Sequence, residues 1–188
     1  MNHLQFLLLK LAEEANEVAI AIIEAKENKP QQFLQGSDLD EIHLELNDLY
    51  AVVSLLNKQY NFEYRIPEFS AKFCDLDTES PKFSALLFKV IKQCHEIGKI
   101  TAKTMQFGLL ERHPDLDLNN KQRIHEELNK LSNHIINLNE FWAFGFELSQ
   151  ERMSYKAEKI EFYLNYSIDL GCVKMVVPED QFLGVNHV

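Results

Sequence analysis

Residues 42–49 read IHLELNDL, and residues 124–131 read IHEELNKL, with six identities in eight positions. The pair Leu56-Asn57 returns at the same offset as Leu138-Asn139. Apolar residues in both copies alternate steps of three and four, which is the spacing of one face of an α-helix. The matches include polar residues, which a shared amphipathic pattern alone does not fix, so they indicate an internal repeat.

The repeat extends upstream of both copies. Residues 7–10, LLLK, match residues 86–89, LLFK, and this alignment brings Glu17 onto Glu96. Each copy is long enough for one helical hairpin, so we expect two hairpins, at about 4–60 and about 83–142. Two related hairpins pack naturally as an antiparallel four-helix bundle.

The apolar spacing and the helix-end signals predict five helices. They span about 4–27, 37–60, 80–106, 119–142 and 149–169. The start signals are Ser37 with Asp40, Ser80 before Pro81, Asn119 or Asn120, and Ser149, and the stop signals are Pro30 and Gly171. Residues 61–79 are interpreted as a connection with one short helix, and residues 172–188 as an extended arm or a strand. The predicted fold is all-α: a four-helix bundle of two tandem hairpins, a fifth helix and an extended C-terminal tail, in one domain over 1–188.

Composition agrees with a helical protein. Of 188 residues, 46% are hydrophobic, and only six are Gly and five Pro, so turns are scarce and an all-β sandwich is excluded. The net charge of −10 repels a phosphate backbone, and no run of basic residues offsets it, which argues against nucleic acid as a partner. An anionic small molecule would have to bind together with divalent cations.

The cysteines and the first residues indicate the compartment. Cys74, Cys94 and Cys172 are odd in number and far apart, unlike zinc sites or disulfide frameworks, so a reducing setting is expected. The apolar residues near Met1 follow no basic leader and are interrupted by Lys10, which argues against a signal peptide or a membrane span. We therefore expect a cytoplasmic protein with no membrane partner.

Four acidic residues interrupt the apolar columns of the first hairpin. Glu14 and Glu17 are three residues apart, as are Glu45 and Asp48, so each pair lies on one helical face. Glu14 falls in a column that is otherwise apolar, and Glu45 and Asp48 fall in another. A solvated acidic face is the alternative. If the columns face inward, the like charges need protons or a cation, and an all-oxygen set suits Mg²⁺ or Mn²⁺.

These residues resemble a known family. The pattern Glu13-Glu14-x-x-Glu17, followed after 27 residues by Glu45-x-x-Asp48, is similar to the EExxE…ExxD signature of MazG-like nucleotide pyrophosphohydrolases, which belong to the all-α NTP pyrophosphatase superfamily. The resemblance covers Leu4 to Tyr60 well and the second copy weakly. It does not extend to the tail.

The resemblance implies an activity and roles for the acids. Glu14, Glu17, Glu45 and Asp48 would coordinate Mg²⁺ on a nucleoside triphosphate, with a deoxynucleotide or a non-standard nucleotide as substrate. Glu13, or another carboxylate of the cluster, would orient or deprotonate the water that attacks the α–β linkage, which releases nucleoside monophosphate and pyrophosphate. It also implies a homodimer.

Two lysines on the fifth helix are candidates for phosphate binding. Lys156 and Lys159 correspond to no clear family motif, and a plain solvated surface position is the alternative for both. His43, His125 and Trp142 could each contact a base, and a packed or solvent-facing role is the alternative for each.

The second hairpin departs from the acidic pattern. Glu13 and Glu14 align with Lys92 and Gln93, and Asp48 aligns with Lys130. Two acids and two lysines can neutralise each other, so we expect a structural pseudo-site that binds no metal.

Two rival functions stay open. A ferritin-like di-iron bundle also carries acids inside four helices, but it needs Glu-x-x-His pairs, which neither hairpin has. A non-enzymatic helical interaction module, whose acids form only a charged face, is the other.

Overall fold

The computed structural model describes residues 1–28, 37–70, 81–112 and 115–174, and this part of the chain is all-helical. The five helices are α1 (His3–Asn28), α2 (Ser37–Tyr60), α3 (Pro81–Phe107), α4 (Asn120–Phe141) and α5 (Gln150–Asp169). These bounds confirm the all-α fold class and agree with the predicted helices to within about two residues. Residues 61–70 contain no helix. The expectations for Pro30, Ser80, residues 71–79 and the tail from 175 lie outside the described residues.

The predicted caps of the last two helices are present. The side chain of Asn119 accepts a hydrogen bond from the backbone N–H of Gln122, whose own side chain bonds back to the N–H of Asn119. Ser149 caps α5 by accepting from the N–H of Arg152. Gly171 follows α5 with φ of +69°, a conformation that other residues adopt at a cost. Local sequence therefore sets these ends, as expected.

Helices α1 and α3, the first helices of the two hairpins, pack against each other in antiparallel fashion. Near one end, Gln5 donates to the carbonyl of Met105, and near the other, Lys26 donates to Ser84. The facing positions correspond in the repeat and are buried in both helices: Leu7 and Leu86, Leu8 and Leu87, Leu11 and Val90, Ala15 and Cys94, Val18 and Ile97. The apolar columns therefore face inward, into a core to which all five helices contribute.

The two hairpins are related by a local twofold axis. On such an axis, equivalent residues meet, and Tyr50 of α2 occupies the repeat position of Ser132 of α4. Their hydroxyl groups form a buried hydrogen bond of 2.7 Å. The hydroxyl of Tyr64 lies 3.1 Å from the same Ser132 oxygen. The repeat in the sequence is therefore also a symmetry of the fold.

The segments that leave α2 and α4 repeat each other in detail. Asn57 bonds to both backbone groups of Tyr64, at 2.8 and 2.9 Å, and Asn139 does the same to Phe146, at 2.7 and 2.9 Å. The equivalent residues Glu63 and Gly145 both have positive φ, and the first segment has a second such residue, Asn61. The paired asparagines of the sequence repeat are thus the residues that fold back these two segments.

Each segment packs against the histidine of the opposite hairpin. The ring of Phe62 lies 4.6 Å from that of His125, and the ring of Phe144 lies 4.8 Å from that of His43, both edge to face. Burial lowers the pKa of both histidines, so they are held as neutral packed rings. Trp142 packs beside Phe83, with ring centres 6.0 Å apart. The packed alternative is the correct one for these three side chains.

Helix α5 has no counterpart in the repeat and packs on α2. Its partner surface on α2 includes Ala51 and Leu55, which are buried. The equivalent positions of α4 are Asn133 and Asn137, which need no apolar cover. The fifth helix therefore covers one hairpin only. Among the described residues, no helix combines the length and the apolar character needed to cross a bilayer.

Candidate carboxylate centre

The predicted acidic residues come together in a pocket of about 380 Å³ where α1, α2 and α5 meet. The pocket is lined by Lys10, Glu13, Glu14, Glu17, Glu45, Asp48, Arg152, Lys156, Lys159, Ile160 and Tyr163. The lining includes all seven residues that the sequence analysis predicted as metal ligands, catalytic acids or phosphate-binding lysines. The pocket therefore has one wall of carboxylates, from the first hairpin, and one basic wall, from α5.

Three of the acids form the centre of the pocket. One carboxylate oxygen from each of Glu14, Glu45 and Asp48 can be chosen so that all three lie within 4.8 Å of one another. Glu14 and Asp48 are only 1% exposed. They are buried because they occupy apolar columns of their helices, as the spacing predicted. The solvated-face alternative is therefore wrong for these two residues.

Helix α5 supplies cations that the local acidic pattern did not reveal. The guanidinium of Arg152 donates two hydrogen bonds to Asp48, at 2.6 and 2.5 Å. The ammonium of Lys156 lies 2.7 Å from an oxygen of Glu14 and 2.9 Å from one of Asp48. The acidic motif does not indicate these partners, because they come from a helix about a hundred residues later in the chain.

Asn47 anchors the start of α5 beside the acids. Its side-chain oxygen accepts a hydrogen bond of 2.7 Å from the backbone N–H of Ser149. Asn47 is buried and immediately precedes Asp48, so this bond brings the first turn of α5 next to that carboxylate. The repeat in the sequence singled out this asparagine without indicating its partner.

Arg152 is the functional residue that sequence reasoning missed. It lies on the same face of α5 as Lys156, Lys159 and Tyr163, because the steps between them are four, three and four residues. Lys156 interrupts an otherwise apolar column with Met153 and Ile160, which was an available signal. Lys156 is buried, so a plain surface position is wrong for it, whereas Lys159 is exposed at the pocket wall.

Burial raises the pKa of two of the acids to about 7. For Glu14 the main cause is burial, which Lys156 opposes and the charge of Glu17 reinforces. For Glu45 it is burial followed by the charges of Glu17 and Asp48. Burial also acts to lower the pKa of Lys156, but its two carboxylates outweigh this and raise it. Charge on Glu14 and Glu45 is therefore costly unless a cation accompanies it.

A hard cation fits the donor set at this centre. The Oε2 atom of Glu45 is buried and has no hydrogen-bond partner among the residues that the structure describes. All three central ligand atoms are carboxylate oxygens, which Mg²⁺ and Mn²⁺ prefer, and no histidine or cysteine lines the pocket among the described residues. Arg152 and Lys156 already balance part of the charge, so a cation would compete with Lys156 for Glu14 and Asp48.

Glu13 and Glu17 lie outside the central group of three. Glu13 is exposed and pairs with Lys10 at 2.6 Å. Glu17 is half-buried and lies close enough to Glu14 and Glu45 to raise the pKa of both. Glu17 therefore extends the centre toward solvent, and Glu13 forms the rim.

The equivalent cluster of the second hairpin neutralises itself. Gln93, at the position of Glu14, donates a hydrogen bond to Glu127, at the position of Glu45. Lys130, at the position of Asp48, pairs with the same Glu127 at 2.7 Å. Glu96 pairs with Lys99 at 2.6 Å rather than with Lys92. The predicted internal ion pairs are present, with this one change of partner.

Comparisons with models of known protein families, with curated proteins and with solved structures find no match to this chain. The assignment of a function therefore rests on the acidic motif and on the geometry of the pocket.

Proposed function

We propose that this protein is a metal-dependent hydrolase that cleaves nucleoside triphosphates into nucleoside monophosphate and pyrophosphate. The observation that carries the proposal is the group of Glu14, Glu45 and Asp48 oxygens within 4.8 Å, in a pocket whose facing wall is basic. The resemblance of residues 4–60 to MazG-like pyrophosphohydrolases supports the same reaction. A homodimer and a cytoplasmic location are expectations that accompany the proposal.

Mg²⁺ is the proposed cofactor, with Mn²⁺ as a substitute. Glu14, Glu45 and Asp48 would hold it, and Glu17 would complete the acidic wall. A bound divalent ion neutralises phosphate oxygens, polarises the phosphorus and lowers the pKa of a coordinated water. The raised pKa values of Glu14 and Glu45 favour this role, because a cation relieves the repulsion that raises them.

The basic wall would bind the triphosphate. Lys159 is exposed and lines the pocket beside Lys156, where it can pair with phosphate oxygens. Lys156 neutralises Glu14 and Asp48 in the absence of a cation, and can turn to phosphate once a cation takes over that task. Arg152 holds Asp48 in place with two hydrogen bonds.

A carboxylate without a cationic partner is needed to orient the attacking water. Glu13 pairs with Lys10, and Asp48 pairs with Arg152, so both are engaged. Glu17 lies beside Glu14 and Glu45 but outside the three proposed ligands, so its carboxylate is available to accept a proton from the water. We therefore assign the water to Glu17, with Glu13 in a supporting position at the rim.

A non-enzymatic helical module is the second candidate. The observation in its favour is that Arg152 and Lys156 balance Asp48 and Glu14 without a metal, so the cluster can serve as an internal ion-pair network. The ferritin-like alternative has less support, because histidine ligands are missing from the described lining of the pocket.

The test measures pyrophosphate release from a panel of ribo- and deoxynucleoside triphosphates, including non-standard bases, with Mg²⁺ or Mn²⁺. Wild-type protein should release pyrophosphate from at least one of them. Glu17→Gln should lower turnover by about a hundredfold or more, because it removes a charge of the acidic wall. Glu96→Gln is the matched control at the equivalent position of the second hairpin, and should keep wild-type turnover.

Two results would contradict the proposal. One is a wild-type protein that releases no pyrophosphate from any nucleotide with either metal, which favours the non-enzymatic module. The other is an equal loss of turnover in Glu17→Gln and Glu96→Gln, which assigns the effect to structure. Circular dichroism of both variants verifies that the helices are intact.

A further inference from the structure

The pocket has an aromatic end that the proposed reaction does not use. Tyr163 lines it, two turns along α5 from Lys156, and its side chain is 48% exposed. Ile160, three residues earlier on α5, also lines the pocket and is 2% exposed. The ring of Phe162 meets that of Tyr163 edge to face at 5.5 Å, which restricts its orientation. An open, oriented aromatic ring thus borders the charged part of the pocket.

The spacing along α5 suits a nucleotide. Lys156, Lys159 and Tyr163 lie on one face, and Lys156 and Tyr163 are separated by about 10.5 Å along the helix axis. This is comparable with the distance from the phosphates to the base in an extended nucleotide. A molecule whose phosphates lie near Lys156 and Lys159 therefore places its base at the level of Tyr163.

We infer that Tyr163 is the stacking platform for the base of a bound nucleotide. The inference rests on the proposed function, since it takes the phosphates to bind at the carboxylate centre. Nucleobases stack on open aromatic side chains, and Ile160 adds an apolar side chain to the same part of the pocket lining. The expected ligand is therefore a nucleoside phosphate with its metal ion. An inorganic polyphosphate has no base and would make no contact with Tyr163.

The same geometry limits how well the site distinguishes bases. Reading the edge of a base needs paired donors and acceptors, which amide side chains supply most often. The described residues that line the pocket include no Asn or Gln. Stacking is tolerant of base identity, so different bases should bind with affinities within about tenfold of one another.

The experiment measures equilibrium binding by calorimetry with Mg²⁺ present. Two kinds of probe are used. The first is a non-hydrolysable nucleoside triphosphate, with either a purine or a pyrimidine base, and the second is inorganic tripolyphosphate, which has no base. Tyr163→Ala should weaken nucleotide binding by about tenfold to a hundredfold and leave tripolyphosphate binding unchanged. Tyr163→Phe keeps the ring and should bind like wild type. Tyr166→Ala is the matched control, because Tyr166 is also exposed on α5 but does not line the pocket.

The outcomes separate this inference from the proposed reaction. Unchanged nucleotide binding in Tyr163→Ala, or equal weakening of both probes, overturns the stacking platform and leaves pyrophosphate release as an independent result. Selective loss of nucleotide binding supports the platform even if the wild type shows no turnover. Absence of nucleotide binding in the wild type overturns both. A preference of more than a hundredfold for one base overturns the stated tolerance.

Discussion

Lys156 is the residue on which the charge balance of the pocket depends. Its ammonium lies between two carboxylates that are each 1% exposed, with Arg152 as the only other cation bonded to either of them among the described residues. A buried ion pair stabilises a protein little more than apolar side chains of the same size would. Removing one partner, however, leaves an uncompensated buried charge, which costs about 3–5 kcal/mol of stability. Lys156 therefore has a structural role whether or not the pocket hydrolyses nucleotides.

We predict that Lys156→Gln destabilises the protein by about 3 kcal/mol when divalent cations are removed by a chelator, because Glu14 loses its counter-ion. Mg²⁺ should restore more stability to this variant than to wild type, since it replaces the missing charge. Lys159→Gln, at an exposed position, is the control and should change stability by less than about 0.5 kcal/mol. Urea unfolding measures all three proteins, and equal losses in the two variants would refute the prediction.

We predict that Glu45→Gln stabilises the metal-free protein increasingly as the pH rises. The pKa of Glu45 is raised to about 7 in the folded protein, above that of the unfolded chain, so the folded state holds the extra proton. Ionisation of Glu45 therefore does not change the free energy of unfolding below about pH 4.5. It lowers the free energy of unfolding as the pH rises through about 7. Allowing for partial exposure, the gain should be about 1 kcal/mol at pH 8.

Thermal unfolding of wild type and Glu45→Gln at pH 5 and pH 8 gives the comparison. The stability of the variant must be compared with that of wild type at each pH, because the buried histidines change the stability of both proteins in the opposite direction. The lowered pKa values of His43 and His125 make wild type gain stability as the pH rises toward neutral. A difference that is the same at both pH values would count against the raised pKa of Glu45.

At the scale of the elements, the two segments that leave α2 and α4 show how the repeat is built. Both are tied back by an asparagine, and both have positive φ at the same repeat position. The second has Gly145 there, with φ of +71°, whereas the first has Glu63, with φ of +61°. A non-glycine residue in this region costs about 1–2 kcal/mol, so the first segment carries the strain that the second avoids.

We predict opposite effects of glycine at these equivalent positions. Gly145→Ala should destabilise the protein by about 1 kcal/mol. The cost is conformational, because apart from the two chain neighbours no described residue has an atom within 4 Å of an added Cβ. Glu63→Gly should be more stable than Glu63→Ala by a similar amount. Both variants lack the ion pair between Glu63 and Lys121, so its loss does not affect the comparison. Denaturant unfolding measures the four proteins, and a Gly145→Ala as stable as wild type would refute the argument.

The helices were predictable because their signals are local. Apolar spacing and caps such as Asn119 and Ser149 act within a few residues, so sequence alone placed the ends. The burial of Glu14 and Asp48 was also predictable, since they interrupt apolar columns. The apolar column of α5 could have indicated that Lys156 faces inward. That Lys156 and Arg152 pair with Glu14 and Asp48 was not predictable, because no local pattern says that this face of α5 packs on α2.

At the scale of the whole molecule, the repeat is symmetric in fold and asymmetric in charge. The two hairpins share the Tyr50–Ser132 axis and the asparagine-anchored segments. Their acidic clusters differ, because the second replaces Glu14 by Gln93 and Asp48 by Lys130. In the second cluster Glu127 already has a donor and a cation, whereas in the first Glu45 has an unpartnered oxygen.

We therefore predict one divalent cation site per chain. Mn²⁺ binding, followed by electron paramagnetic resonance or calorimetry, should saturate at one ion per chain. Glu45→Gln should abolish this site, because it removes a charged ligand of an all-oxygen set. Glu127→Gln is the equivalent change in the second hairpin and should leave binding intact. Two equivalent ions per chain, or loss of binding in both variants, would contradict the charge argument.

The bond between Arg152 and Asp48 joins residues 104 positions apart, which affects how the protein is made. At ribosomal rates of about 5–20 residues per second, α5 is synthesised roughly 5–20 s after α2. During that interval the first hairpin has its acids but not the two basic side chains that later balance them. The nascent hairpin must therefore keep these carboxylates hydrated, protonated or bound to cellular cations until α5 has been synthesised and can pack beside them.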